Sequence, residues 1–175
     1  MLHALVWLVY IVGLVIVFIS QGTLGWPWYA QAAGWLLMFA GGFLIFYSKQ
    51  WLGRHYVRIP KLVRGHVLVT DGPYAYVRHP EYVGILLAYL GLCLVQNSLA
   101  GIVFLAFGFV PMHALLAYQE EALLLQNFKA EHEAYQKKAG LLLPRSLTFW
   151  YPFIAGRKAG LPEGRQEAKA GHRKR

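Results

Sequence analysis

The chain has 175 residues, of which 57% are apolar and 14% charged, with a net charge of +9 and one cysteine, Cys93. So few charges argue against an ordinary soluble domain, where about a quarter of residues are charged, and a lone cysteine excludes an intramolecular disulfide. The positive charge does not mark a nucleic-acid binder, because the basic residues flank long apolar runs, where they are the ordinary topology signal and attract anionic headgroups.

Residues 1–48 contain no Lys, Arg, Asp or Glu. Leu2 to Ile19 is a nearly continuous apolar run, sufficient for a transmembrane helix. It has no basic stretch ahead of it and no convincing cleavage site behind it, so it is expected to be a helix of the mature protein and not a secretory signal. Ala32 to Tyr47 is a second such run. The loop between them, SQGTLGWPWYAQ, is uncharged, and its Trp26, Trp28 and Tyr29 suit an interfacial aromatic belt. Lys49, Arg54, Arg58, Lys61, Arg64 and Arg78 crowd the next loop. Tyr82 to Val95, a short run, and Leu99 to Tyr118 come next, and Gln96, Asn97 and Ser98 between them predict a helical hairpin.

The last structured segment, QEEALLLQNFKAEHEAYQKKAG, places Leu125, Phe128, His132 and Tyr135 on one helical face. Gly140 suits its C-cap, and Lys137 and Lys138 suit the negative end of its dipole. Alone, it reads as an interfacial helix with solvated glutamates. The expectation is an all-α integral membrane fold with about four transmembrane helices, including a helical hairpin, and a C-terminal cytoplasmic amphipathic helix. Residues 1–156 form the single domain, and 157–175 a basic, disordered tail. The uncharged first loop and basic second loop place the central loop and both termini in the cytoplasm.

Polar chemistry gathers in two places, Gly53 to Gly84 and Gln119 to Arg145, which suggests one site built from both. GPYAYVRHPEYVG, Gly72 to Gly84, is broken twice by proline, with Pro80 suited to a helix's first turn and Asp71 placed to bond its own local backbone. Backbone exposed this way near a membrane must be buried in protein or line a wet cavity. Taken singly, Tyr74, Tyr76 and Tyr82 read as interfacial packing, Arg78 as a headgroup contact and His79 as a satisfied loop histidine; the cluster says more than its members. Glu120 and Glu121 directly follow the fourth apolar run, where carboxylates face a partner or cavity rather than lipid.

LGRHYVRIPKLVRGHVLVTDGPYAYVRHPEYVG, Leu52 to Gly84, with EEALLLQNF, Glu120 to Phe128, resembles the isoprenylcysteine carboxyl methyltransferase family of integral membrane enzymes, and more closely its short bacterial relatives. The resemblance is strongest over residues 52–144. It implies S-adenosylmethionine bound at the cytoplasmic face of a bacterial inner membrane and a lipophilic or small-molecule acceptor reached from the bilayer. Carried over by position, His66, Val67, Leu68 and Val69 match a cofactor-binding stretch, Tyr74 a cofactor-binding tyrosine, His79, Pro80, Glu81 and Tyr82 a second contact segment, and Glu120 the glutamate that holds the cofactor.

The chemistry of those residues fits the implied ligand. Arg78 or His79 can meet a carboxylate by charge-assisted hydrogen bonds, Glu120 an ammonium or hydroxyls, and a tyrosine face a sulfonium. Methyl transfer needs alignment and exclusion of water more than a catalytic triad or a metal, and the sequence has neither a nucleophile elbow nor metal-spaced His and Cys. The family's substrate arginine is replaced by Leu116, with His113 one turn back and Glu121 as candidate substrate contacts. Its FGxEYxxY reads FKAEHEAY, with Lys129 and His132 for Gly and Tyr. Alternatives are a phospholipid N-methyltransferase, with the same cofactor and an amine nucleophile, and a non-catalytic membrane scaffold or assembly protein that keeps the fold.

Overall fold

The computed structural model describes residues 2–53 and 68–145, which belong to one compact unit. The architecture is helical, and among the described residues there is no strand, only a single parallel bridge between Val77 and Gly140. Helix α1 is Leu2–Ile19, α2 is Trp28–Leu52, and α3 is Pro80–Val95. Helix α4 runs from Leu99 to Lys138, with a π-helical stretch at Leu105–Phe109. A short 3-10 turn, Gly72–Ala75, precedes α3. Among the described residues two helices, α2 and α4, are long and apolar enough to cross a membrane, while the apolar parts of α1 and α3 are shorter. Their outer faces carry Trp35, Phe39, Phe43, Phe107 and Leu115, all exposed. A soluble protein rarely exposes so contiguous an apolar surface, whereas a bilayer supplies the missing solvent.

The expected hairpin is present. Pro80 opens α3 at its first turn, where a missing N–H costs nothing. Ser98 opens α4, its hydroxyl accepting from the Gly101 N–H at 3.0 Å. Asn97 takes a left-handed φ of 52° in the turn between them. The α1–α2 loop is tied to this turn: Gly22 N donates to Gln96 O, Leu24 N to Asn97 O, and Trp26 N to the Asn97 side chain. Both loops therefore lie at one end of the bundle, and the polar loop before α3 lies at the other.

Helices α2 and α3 are held together by small residues. Added Cβ atoms at Gly41 and Gly84 would stand 2.4 and 2.7 Å from the other's carbonyl oxygen, and Gly34 and Gly91 approach as closely one heptad on. With little hydrophobic drive between helices in lipid, such close backbone approach supplies the dispersion contact. Helix α1 packs on α4 and α3 around Val17, Tyr89, Cys93, Leu105 and Phe109, with the Tyr89 hydroxyl donating to Gly13 O at 2.9 Å.

Two expectations change. The segment from Gln119 is not a separate interfacial helix, because α4 continues unbroken past Tyr118 and bends only at Lys129, whose φ of 36° and ψ of −113° are non-helical. The bend turns His132 and Tyr135 inward, where both are buried. Gly140 is not the C-cap; Ala139 is, and Gly140 instead pairs with the loop ahead of α3. Its N–H donates to Tyr76 O, its carbonyl accepts from Arg78 N, and a side chain there would meet Leu143 O at 1.7 Å.

Candidate active site

The loop before α3 is pinned on two sides. Gly72, at φ 60°, lies under the Trp51 indole, 2.4 Å from where a Cβ would stand, so the site demands glycine for both conformation and space. Asp71 caps the turn through its carbonyl, which accepts from Tyr74 N at 3.1 Å, and not through its carboxylate as expected. Tyr135, beyond the bend in α4, donates to Tyr74 O at 2.6 Å. The backbone pairing with Gly140 and Leu141 closes the other side.

This brings Arg78, His79 and Tyr82 against the adjacent glutamates of α4. Arg78 Nε donates to Glu121 Oε1 at 3.0 Å, and its Nη1 donates to the Ala139 and Gln136 carbonyls at 2.6 and 3.3 Å. Glu121 also meets His79 Nε2 at 3.1 Å, His132 Nε2 at 3.3 Å and the Gln136 amide at 2.7 Å. A carboxylate offers about four acceptor positions, and four partners fill them. Its side chain is 6% exposed.

Glu120 differs. Tyr82 donates to its Oε1 at 2.5 Å and His79 Nδ1 stands 3.2 Å from its Oε2, which leaves each oxygen further acceptor capacity, and its side chain is 44% exposed. Both nitrogens of His79 thus face carboxylates, and a carboxylate only accepts, so both nitrogens carry protons. Burial lowers the His79 pKa, but hydrogen bonds to Glu120 and Glu121 and their charges outweigh it and hold the value above the ordinary 6.5. The Tyr82 ring stacks on this cation, centroids 5.5 Å apart and planes at 8°.

The remaining expected residues fall around this core. Leu68 and Val69 are half-buried on the approach to the turn, whereas His66 and Val67 lie outside the described residues. Pro80 is buried, and Glu81 reaches back to Lys49 of α2 at 3.1 Å. His113 lies below the glutamates in α4, completely buried, bonded to Tyr10 of α1 at 2.9 Å. Sequence reasoning missed Gln136 and Tyr10. Gln136 lies three residues before a buried Ala139 on an otherwise charged face, which carries no pattern, and Tyr10 was hidden inside an apolar run. His132 Nδ1 is buried and has no hydrogen-bond partner among the described residues.

Residues 29–131, more than half the chain, match the family model for phospholipid methyltransferase. The chain belongs to the phospholipid methyltransferase family. This family member is 35% identical over 81 residues to the protein-S-isoprenylcysteine O-methyltransferase of Schizosaccharomyces pombe, covering 46% of this chain and 34% of that one. It is 37% identical over 82 residues to the cobalt-zinc-cadmium resistance protein CzcN of Cupriavidus metallidurans, covering 47% and 38%. The chain thus spans little more than a third of the length of these relatives. Its fold matches the eukaryotic intramembrane Ras methyltransferase ICMT (isoprenylcysteine carboxyl methyltransferase) with a TM-score of 0.67 at 24% identity, over 79% of this chain and 51% of that one. The suspected kinship with membrane methyltransferases stands.

Proposed function

We propose that the chain is an S-adenosylmethionine-dependent membrane methyltransferase acting at the cytoplasmic face on a lipophilic or small-molecule acceptor. The observation that carries this reading is the unequal pair of glutamates. Glu121 is saturated by protein donors, while Glu120 keeps open acceptor capacity at an exposed edge beside a tyrosine and an imidazolium. An ammonium or a pair of hydroxyls is the complement of that edge, and the cofactor carries both.

When bound, the cofactor supplies an activated methyl group on a sulfonium. Glu120 would hold its ammonium or ribose hydroxyls. Tyr74, Tyr82 and the backbone of the His66–Val69 stretch would line it. Arg78 and His79 would act from behind, their donors engaged by the glutamates and, for Arg78, also by the Ala139 and Gln136 carbonyls, with Pro80 fixing the entry of α3 and Glu81 tied to Lys49. The segment from Tyr74 to Glu81 is thereby held by protein contacts before any ligand arrives, which limits the ordering cost of binding. In this reading both termini face the cytoplasm, because the first loop is uncharged and the second basic, and a single cysteine introduced at Gly25 in a Cys93-free chain should label only from the opposite side; labelling from the cytoplasm would reverse the topology.

Titration of the purified protein in detergent with S-adenosylhomocysteine tests the reading. Saturable binding is expected. A protein that folds but shows no binding is the scaffold alternative, and the methyltransferase reading then fails.

A further inference from the structure

We propose that Tyr10 and His113 form a proton-accepting pair for the methyl acceptor, which therefore enters with a proton on its nucleophile, as a hydroxyl, thiol or amine. The proposal rests on the methyl-transfer reading above.

His113 is 0% exposed, within α4. The rings of Phe109, Tyr82 and Tyr10 box it in, with centroids 4.9, 5.3 and 5.7 Å away. Its Nδ1 lies 2.8 Å from the Phe109 carbonyl, which can only accept, so the proton sits on Nδ1. Phe109 ends the π-helical stretch, a local winding that is rare and found often at functional sites. None of the described carboxylates hydrogen-bonds to His113. A charged imidazolium in that box would be uncompensated, so the ring is neutral. Nε2 is then a bare lone pair, 2.9 Å from the Tyr10 oxygen, and Tyr10 must donate to it. The result is a base of fixed tautomer, presented through a phenol.

The placement suits the proposed site. Tyr82 joins the two regions, its ring edge-on to His113 and its hydroxyl on Glu120. Tyr10 is only half-buried, so it is the member of the pair that can meet an acceptor, and His113 acts through it as a positioning residue. Leu116, three residues further along α4, offers no cation to a carboxylate. In the step, the acceptor's nucleophilic atom forms its bond to the methyl carbon. The carbon–sulfur bond breaks and its electron pair stays on sulfur. The acceptor's proton passes to the Tyr10 oxygen while the Tyr10 proton passes to His113 Nε2, so the ring, neutral at rest, takes up a positive charge only as the sulfonium loses its own and the total charge in the site is unchanged. A carboxylate acceptor releases no proton and has no use for the pair.

The test uses the full chain in lipid nanodiscs. With ¹⁵N-histidine labelling, the NMR signal lost in His113→Gln should belong to a neutral ring protonated on Nδ1; an imidazolium, or a proton on Nε2, overturns the proposal. Labelled cofactor is then offered with nonylphenols of graded acidity, dodecanethiol, dodecylamine and acetyl-farnesyl-cysteine. Turnover is expected with at least one hydroxyl, thiol or amine probe. Tyr10→Phe and His113→Gln should lower kcat about a hundredfold on the least acidic probe that is methylated. KM and S-adenosylhomocysteine affinity should stay within about twofold, and the deficit should shrink as acceptor acidity rises. An equal deficit on all probes, or turnover of acetyl-farnesyl-cysteine alone, overturns the pair. A native protein that binds S-adenosylhomocysteine but methylates no hydroxyl, thiol or amine probe overturns this proposal and leaves the functional reading standing. Loss of binding in the native protein sinks that reading, and the pair with it.

Discussion

Adjacent glutamates with opposite duties should respond to mutation in opposite ways. Glu121→Ala strips the carboxylate from Arg78, which is 12% exposed, and from the buried side of His79. Breaking one partner out of a buried ion pair costs about 3–5 kcal/mol. For a chain of this size that corresponds to a fall in melting temperature of roughly 6–20 °C. Glu120→Ala also removes two bonds, to Tyr82 and His79, but its side chain is 44% exposed. Solvent screening limits that loss to about 1 kcal/mol or less. Binding should show the reverse emphasis. Removing Glu120 deletes a hydrogen bond to a charged ligand, worth about 1.5–3 kcal/mol, or roughly tenfold to over a hundredfold in affinity. Tryptophan-monitored melting in detergent and isothermal titration with S-adenosylhomocysteine would read the two quantities separately. The reasoning fails if Glu121→Ala melts with the native protein, or if Glu120→Ala binds ligand as tightly as native.

Three further outcomes follow from particular contacts. Lys129 holds φ 36° at the bend of α4, where the resembling family carries glycine; Lys129→Gly should raise stability by about 1 kcal/mol or more by relieving backbone strain, and an unchanged or lower melting temperature would argue that the lysine does not bear this strain. Gly41→Ala should destabilise by about 1–3 kcal/mol through collision with Gly84 O, whereas Gly42→Ala meets nothing within 4 Å and should gain up to about 1 kcal/mol of helix propensity; equal melting of the two variants would contradict the α2–α3 packing. The His79 pKa is raised by its two carboxylates against the opposing effect of burial. Its contribution to stability is therefore complete below the ordinary 6.5 and lost as pH rises through its folded value. Melting temperature should decline along that alkaline limb, and His79→Gln should flatten the decline; a limb unaltered in the variant would assign it to another group.

The helices and their hairpin turn were legible because their causes are local. An apolar segment in lipid must satisfy its own backbone groups, so composition and length alone dictate a helix. Ser98 and Pro80 mark helix starts by their own chemistry. The gathering of the Gly72–Gly84 loop with Glu120 and Glu121 was legible too, since polar residues confined to one membrane face have few other places to go.

The tertiary structure decided what each of them does. Consecutive residues on a helix point about 100° apart, and nothing in the string EE says which faces inward; the position of α3 and the returning arm of α4 bury Glu121 and leave Glu120 open. That arm exists because α4 continues past the apolar run and bends at Lys129, a residue whose own preference argues against such a bend. Tyr10 and His113, 103 residues apart, meet only because α1 packs against α4. Apolar periodicity encodes which segments are helices, but a hydrogen bond across the bundle depends on two helix rotations at once, and those are set by packing.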